Sequence, residues 1–153
     1  MDHEFGSNQL TPEQIGWDWF SVQLDDNTEL MLYVMRRRDG SLDPNSSGTI
    51  IYKDGSSKHI LLKDFSIKKS GSWMSQKTKA TYPSGWIVSV PQLQLNLNVS
   101  PEFEDQELVT AGSTGVTYWE GACRVTGSRA GKSITGSAYV ELTGYAEAFS
   151  KRI

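Results

Sequence analysis

The chain has 153 residues, enough for one domain that buries a core of ordinary size without help from metals or disulfides. Its 15 Lys and Arg against 18 Asp and Glu leave a net charge of -3, which provides no general field for holding nucleic acid or an anionic membrane. The single cysteine, Cys123, excludes an internal disulfide and a thiolate metal cluster and reads as a small core residue; no apolar run reaches the roughly 18 residues of a membrane span.

Five Trp and six Tyr, with 14 Gly against 5 Pro, favour strands joined by tight turns. The opening Met1-Asp2-His3-Glu4 has neither the basic nor the apolar part of a signal peptide, which leaves the compartment open, a periplasmic or secreted parent included. Thr11-Pro12-Glu13-Gln14 combines an N-cap residue, a proline at the first helical position and a capping-box glutamine, with room for about one turn, so it reads as a plug or connector.

From Gly16 onward the chain reads as strands. Residues 17–24 and 29–37 flank Asp25-Asp26-Asn27-Thr28, a hairpin turn. Residues 48–53 and 59–63 are separated by Asp54-Gly55-Ser56-Ser57, where the glycine suits a positive φ. Residues 86–90 precede 93–99, in which four aliphatic residues alternate with three amides in the manner of a half-buried strand. Residues 117–126 and 133–144 surround Gly127-Ser128-Arg129-Ala130-Gly131 and form a terminal hairpin. About eight to ten strands with minimal helix mean an antiparallel barrel or a sandwich, and composition does not choose between them.

Several motifs resemble sites and lack their context. The segment from Gly127 to Ser133 has three residues between its glycines where a phosphate loop needs four, and a strand follows it instead of a helix. His3 and His59 stand far apart with no helical pairing to present metal ligands. Arg36-Arg37-Arg38 before Asp39-Gly40-Ser41 reads as a solvated loop rim. Asn45-Ser46-Ser47 and Asn98-Val99-Ser100 fit the glycosylation acceptor pattern, which matters only in a eukaryotic secretory setting.

A set of ordered blocks carries a family resemblance. They are Met1-Asp2-His3-Glu4-Phe5-Gly6, Gly16-Trp17-Asp18-Trp19-Phe20-Ser21, Glu29-Leu30-Met31-Leu32-Tyr33, Tyr82-Pro83-Ser84-Gly85-Trp86, Asp105-Gln106-Glu107-Leu108, Tyr118-Trp119-Glu120-Gly121-Ala122 and Tyr139-Val140-Glu141-Leu142-Thr143-Gly144-Tyr145. In order and spacing they resemble the AttH-like and carotenoid 1,2-hydratase family. The resemblance implies an all-β, lipocalin-like antiparallel barrel spanning residues 1–153 as one domain. Family members are usually about twice this length with two such halves, and the Trp-Trp-Tyr signature of the first half is absent here. The chain is therefore expected to be the C-terminal half of a two-domain parent, whose N-terminal lipocalin-like domain would be its partner.

The resemblance further implies chemistry without a cofactor on hydrophobic, polyene, terpenoid or lipid-like molecules: alkene hydration in the carotenoid hydratases and pericyclic ring closure in related fungal proteins. Hydration starts with proton delivery to carbon, which needs an acid in a dry pocket. The available acids and bases are Asp2, His3, Asp18, Glu120 and Glu141, and Asp2 with His3 is carried over as the catalytic pair, supported by Glu120. Phe5 stands where the hydratases are expected to have Trp. Trp17, Trp19, Trp86 and Trp119 are expected to line an apolar calyx, with Phe5, Tyr33 and Glu141 as further ligand contacts. Three readings stay open: a module that binds a hydrophobic ligand, a hydro-lyase or cyclase, and a half-domain that packs on its partner. No Ser-His-Asp arrangement supports ester or peptide cleavage.

Overall fold

The computed structural model describes residues 10–110 and 115–147. Thr11 and Gln14 close one turn reciprocally: the Gln14 amide N–H donates to the Thr11 carbonyl at 3.0 Å, and the Thr11 N–H donates to Gln14 Oε1 at 2.9 Å. The turn feeds straight into β1 (Gln14–Leu24), which pairs with β2 (Glu29–Arg37) across the expected turn, where Asn27 takes a φ of 61°.

There follow β3 (Ser47–Ile51), β4 (Ser57–Leu61), β5 (Ser66–Lys69), β6 (Ser72–Met74) and β7 (Thr81–Pro83). Further along come β8 (Trp86–Val90), β9 (Leu95–Pro101), β10 (Glu107–Val109), β11 (Thr117–Arg129) and β12 (Lys132–Thr143). Short 3-10 turns at Leu62–Asp64 and Pro91–Leu93 make up the helix, 4% against 60% strand.

Nine strands hydrogen-bond in the order β4-β3-β2-β1-β12-β11-β9-β8-β5, and β10 adds a tenth beside β11; every pairing is antiparallel. The sheet curls strongly into a half-barrel, the all-β architecture expected. β9 and β10 share one flank of β11, and the Gln106 side chain fills the gap between them. Its Nε2 donates to the Ala122 carbonyl at 3.0 Å, and its Oε1 accepts from the Ala122 N–H at 2.9 Å, so an amide side chain takes the place of a strand residue. β6 and β7 form a separate two-stranded hairpin. Glu107 of β10 holds it, accepting from Ser75 Oγ at 2.5 Å, Thr78 Oγ1 at 2.5 Å and the Tyr82 hydroxyl at 3.0 Å.

Strand alternation decides which side chains fill the interior. On β1, Phe20, Val22 and Leu24 are buried while Trp17, Trp19 and Ser21 are half-buried, so the even positions face inward. Leu30, Leu32 and Val34 on β2, and Val140 and Leu142 on β12, join them. Phe20 meets Trp86 edge to face at 5.5 Å, and Trp86 meets Trp119 at 5.8 Å. Each such buried side chain contributes about 1.5–3 kcal/mol. Cys123 belongs to this interior, as its isolation in the sequence suggested, and burial pushes its thiol up to about 12.

The terminal hairpin runs further than the sequence reading placed it. Gly127, expected in the turn, lies in the ladder between Leu97 and Ile134, where a Cβ would sit 2.1 Å from the Asn96 carbonyl oxygen. Glycine is there for close approach of two backbones. The turn itself is Ala130-Gly131, with φ of 48° and 77°, the positive pair that a two-residue turn requires.

Candidate functional site

At one end of the barrel lies a cavity of about 320 Å³. Ile15, Val34, Leu42, Ile67 and Trp86 form its apolar wall; Asp18, Arg36, Arg37 and Lys69 supply its ionisable groups. Asp18 is in phase with Phe20, Val22 and Leu24, so the alternation of β1 turns its carboxylate inward, where only 4% of the residue is exposed.

Arg36 extends the inward-facing series of β2 past Val34 and lies opposite Gly16. Gly16 has a φ of +156°, and a Cβ there would sit 2.3 Å from the Thr143 carbonyl oxygen and 2.7 Å from Arg36 Nη2. Absence of that side chain lets the guanidinium lie flat against the strand. Arg36 Nε donates to Asp18 Oδ1 at 2.9 Å, and Nη2 donates to the Thr143 carbonyl.

Tyr145 completes the cluster. Its hydroxyl lies 3.1 and 3.0 Å from the two Asp18 oxygens and donates to that carboxylate. Its ring lies 4.0 Å from Arg36 Cζ and 4.9 Å from Lys69 Nζ, both cations facing the π cloud. Burial raises the Asp18 carboxyl above the usual carboxylate range, and Arg36, Lys69 and Tyr145 only partly offset it. Burial lowers the Lys69 ammonium, Asp18 pulls it back, and Arg36 pushes it further down. Burial and the neighbouring Asp18 raise the Tyr145 phenol.

Arg37 is neutralised by Asp43, with Nη2 at 2.9 Å from Oδ2. The Asn45 backbone N–H, Arg37 and Gln14 together hold the Asp43 carboxyl down at about 2. The expectation that Arg36, Arg37 and Arg38 form a solvated rim is thus corrected for the first two. The inward phase of β2 carries Arg36 to Asp18, and Arg37 bends back to Asp43.

Trp86 floors the cavity at 0% exposure, and its buried Nε1–H has no acceptor among the described residues. A buried donor left so costs about 1–3 kcal/mol. Beneath it lie the buried side chains of Phe20, Val88 and Trp119.

The expected site residues divide between two faces. Trp86 and Trp119 are interior, and Trp119 Nε1 donates to the Glu104 carbonyl at 2.7 Å. Tyr33, Trp19, Glu141 and Glu120 line up in one row across β2, β1, β12 and β11 on the opposite, outer face. Trp17 lies on that face as well, its Nε1 donating to Glu141 Oε1 at 2.7 Å. Burial and the nearby Glu120 and Glu141 raise the half-exposed phenol of Tyr139 there. The four tryptophans therefore do not share one wall, and Glu120 is remote from the cavity. Asp2, His3 and Phe5 lie outside the described residues. Among the described residues no cluster of three or more His, Cys, Asp or Glu is arranged to hold a metal.

Asp18 was legible as an acid, whereas Arg36, Lys69 and Tyr145 were not assigned to the site. The available signal was phase: Asp18 is in step with Phe20 on β1, and Arg36 with Leu30, Leu32 and Val34 on β2.

A curled antiparallel sheet around an apolar interior, with a cavity at one open end, defines a lipocalin-like domain. The chain belongs to the AttH-like family, whose profile matches residues 1–145. A crystal structure of an AttH-assigned protein from Nitrosomonas europaea superposes with a TM-score of 0.78 at 34% identity, over 90% of this chain and 41% of that one. Kievitone hydratase from Nectria haematococca shares the fold with a TM-score of 0.71 at 19% identity, over 88% of this chain and 40% of that one. The chain thus spans about two fifths of either structure. Among curated proteins there is no significant match by sequence. Among the described residues no helix is long and apolar enough to cross a membrane.

Proposed function

We propose that this domain binds a hydrophobic small molecule of the polyene, terpenoid or lipid-like kind at the mouth of its barrel. The observation that carries the reading is the cavity of about 320 Å³ whose wall is Ile15, Val34, Leu42, Ile67 and Trp86. That volume is at the lower end of the roughly 300–1,000 Å³ of small-molecule sites, so the cavity takes a compact ligand or one end of a longer one. Titration with the neutral fluorophore N-phenyl-1-naphthylamine tests it. Leu42→Glu and Ile67→Glu, both at the rim, are expected to weaken binding at least about fivefold, since each puts a charge against an apolar ligand. Unchanged affinity in both variants removes the cavity from consideration.

A second reading is hydration of an alkene, favoured by the inward carboxyl of Asp18 beside the cavity, which burial raises above the usual carboxylate range. A carboxyl with a raised pKa in a dry site is the kind of group that delivers a proton to carbon. Likeness to kievitone hydratase in fold agrees with this reading. Asp2 and His3 remain the catalytic pair that the sequence resemblance proposes. Incubation of the chain with an apolar alkene and mass analysis for gain of one water decides the matter. The relatives' greater length supports a companion domain in the parent chain.

A further inference from the structure

The charges around the cavity are unequal. Of the four ionisable residues that line it, Arg36, Arg37 and Lys69 are cations and only Asp18 is an acid. Asp18 is committed to Arg36, and Arg37 to Asp43 outside the cavity lining. Lys69 is left with no carboxylate within ion-pair distance among the described residues; its ammonium faces the Tyr145 ring at 4.9 Å. Its neighbour across the β5–β8 ladder is Trp86, the floor of the same cavity, whose indole N–H also lacks an acceptor. One cation without an ion pair and one unsatisfied donor thus belong to residues paired across a single ladder, beside an apolar wall.

From this arrangement we infer that the ligand is an apolar monocarboxylate. Its carboxylate group pairs with Lys69, within reach of the Arg36 guanidinium, while its hydrocarbon part lies along Val34, Leu42 and Ile67. An ammonium partner is worth more to an ionised acceptor than to a neutral one, so Lys69 selects the acid over its ester or alcohol. At about 30 Å³ for each water-sized group, the cavity has room for about ten non-hydrogen atoms, the size of a medium-chain or aryl acid. This inference rests on the proposed binding of an apolar molecule at the barrel mouth and adds the chemical class of its polar end.

The test uses the 153-residue chain and four probes of nearly equal length: octanoate, octan-1-ol, methyl octanoate and octylamine, titrated calorimetrically at pH 7 in low salt. Octanoate is expected to bind about tenfold more tightly than the alcohol or the ester, as one charge-assisted hydrogen bond in a partly desolvated site allows. In Lys69→Gln that preference is expected to fall to within about twofold. Lys69 ends the four-residue strand β5 and is no part of the hydrophobic core, so the variant is expected to keep the fold. Octanol or the ester binding as tightly as octanoate overturns the inference and leaves the apolar binding reading standing, as does a preference for octanoate that survives Lys69→Gln. Tighter binding of octylamine overturns the inference by reversing the charge. Failure of all four probes, together with N-phenyl-1-naphthylamine, overturns both.

Discussion

Glu120 of β11 and Glu141 of β12 stand directly opposite one another on the outer face of the sheet. Like charges so placed destabilise an antiparallel pair, and here Trp17 offers Glu141 a hydrogen bond in partial compensation. Glu120→Gln is expected to stabilise the domain by about 0.2–1 kcal/mol, measured as the shift in urea midpoint. The gain shrinks in high salt, because the pair is only half-buried.

Asp18 and Arg36 are the opposite case, a pair that neither member leaves without loss. Asp18→Ala is expected to cost about 2–4 kcal/mol, because the Arg36 guanidinium, whose side chain is only 14% exposed, and the Tyr145 hydroxyl both lose their acceptor. The double variant Asp18→Ala with Arg36→Met is expected to lose less than the two single losses added together. Additive losses in urea denaturation would show that the two residues act independently.

Gly16→Ala tests the close packing on which the cluster depends. The added Cβ meets backbone at 2.3 Å and the guanidinium at 2.7 Å, so the strands or Arg36 must move. A loss of about 1–3 kcal/mol is expected. Weaker octanoate binding should accompany it, since a displaced guanidinium disturbs Asp18 and Tyr145 together.

The pH dependence carries contributions of opposite sign. Asp43 is held at about 2 against an ordinary 3.8, so its contribution is present above pH 3.8 and is lost as pH falls toward 2. Asp43→Asn is expected to flatten the stability profile in that window. Asp18 is raised, so its ionisation opposes folding and stability falls as pH climbs from 3.8 through its folded value. Urea midpoints between pH 2 and 7 for the parent, Asp43→Asn and Asp18→Ala separate the two contributions.

His3→Ala bears on the hydration reading. If Asp2 and His3 serve as the acid pair, turnover of an alkene disappears while affinity for N-phenyl-1-naphthylamine stays within about threefold. Equal turnover in variant and parent excludes the pair.

Much of the sheet was legible because its long strands are bounded by strong turn chemistry. Asp25-Asp26-Asn27-Thr28 marked the first hairpin, and residues 86–90 were bounded as β8 is. The strands β5, β6, β7 and β10 were missed, because alternation over three or four residues does not register against noise. At the site, the tryptophans drew attention to the wrong phase of β1. Its inward positions are those of Phe20, Val22 and Leu24, which turn Asp18 in and Trp17 and Trp19 out. Tyr145 lies 127 positions from Asp18, and only the β1–β12 register brings them together. No local pattern encodes such a meeting.

The sheet ends at β4 and β5, which share no ladder with each other although only the turn Leu62–Asp64 and Phe65 separate them in sequence. Side-chain bonds from Lys58 to Gln92 and from Gln92 to Asp64 stitch nearby elements at the surface, and Lys58, Lys68 and Lys69 lie on the two free edges. Those lysines discourage a second chain from adding a strand there. Each of the two edge strands has a ladder on one side only, so amides of β4 and β5 that point away from β3 and β8 exchange with solvent ahead of those in β1, β11 and β12. The half-barrel frays from its two outer strands, and one of them carries Lys69.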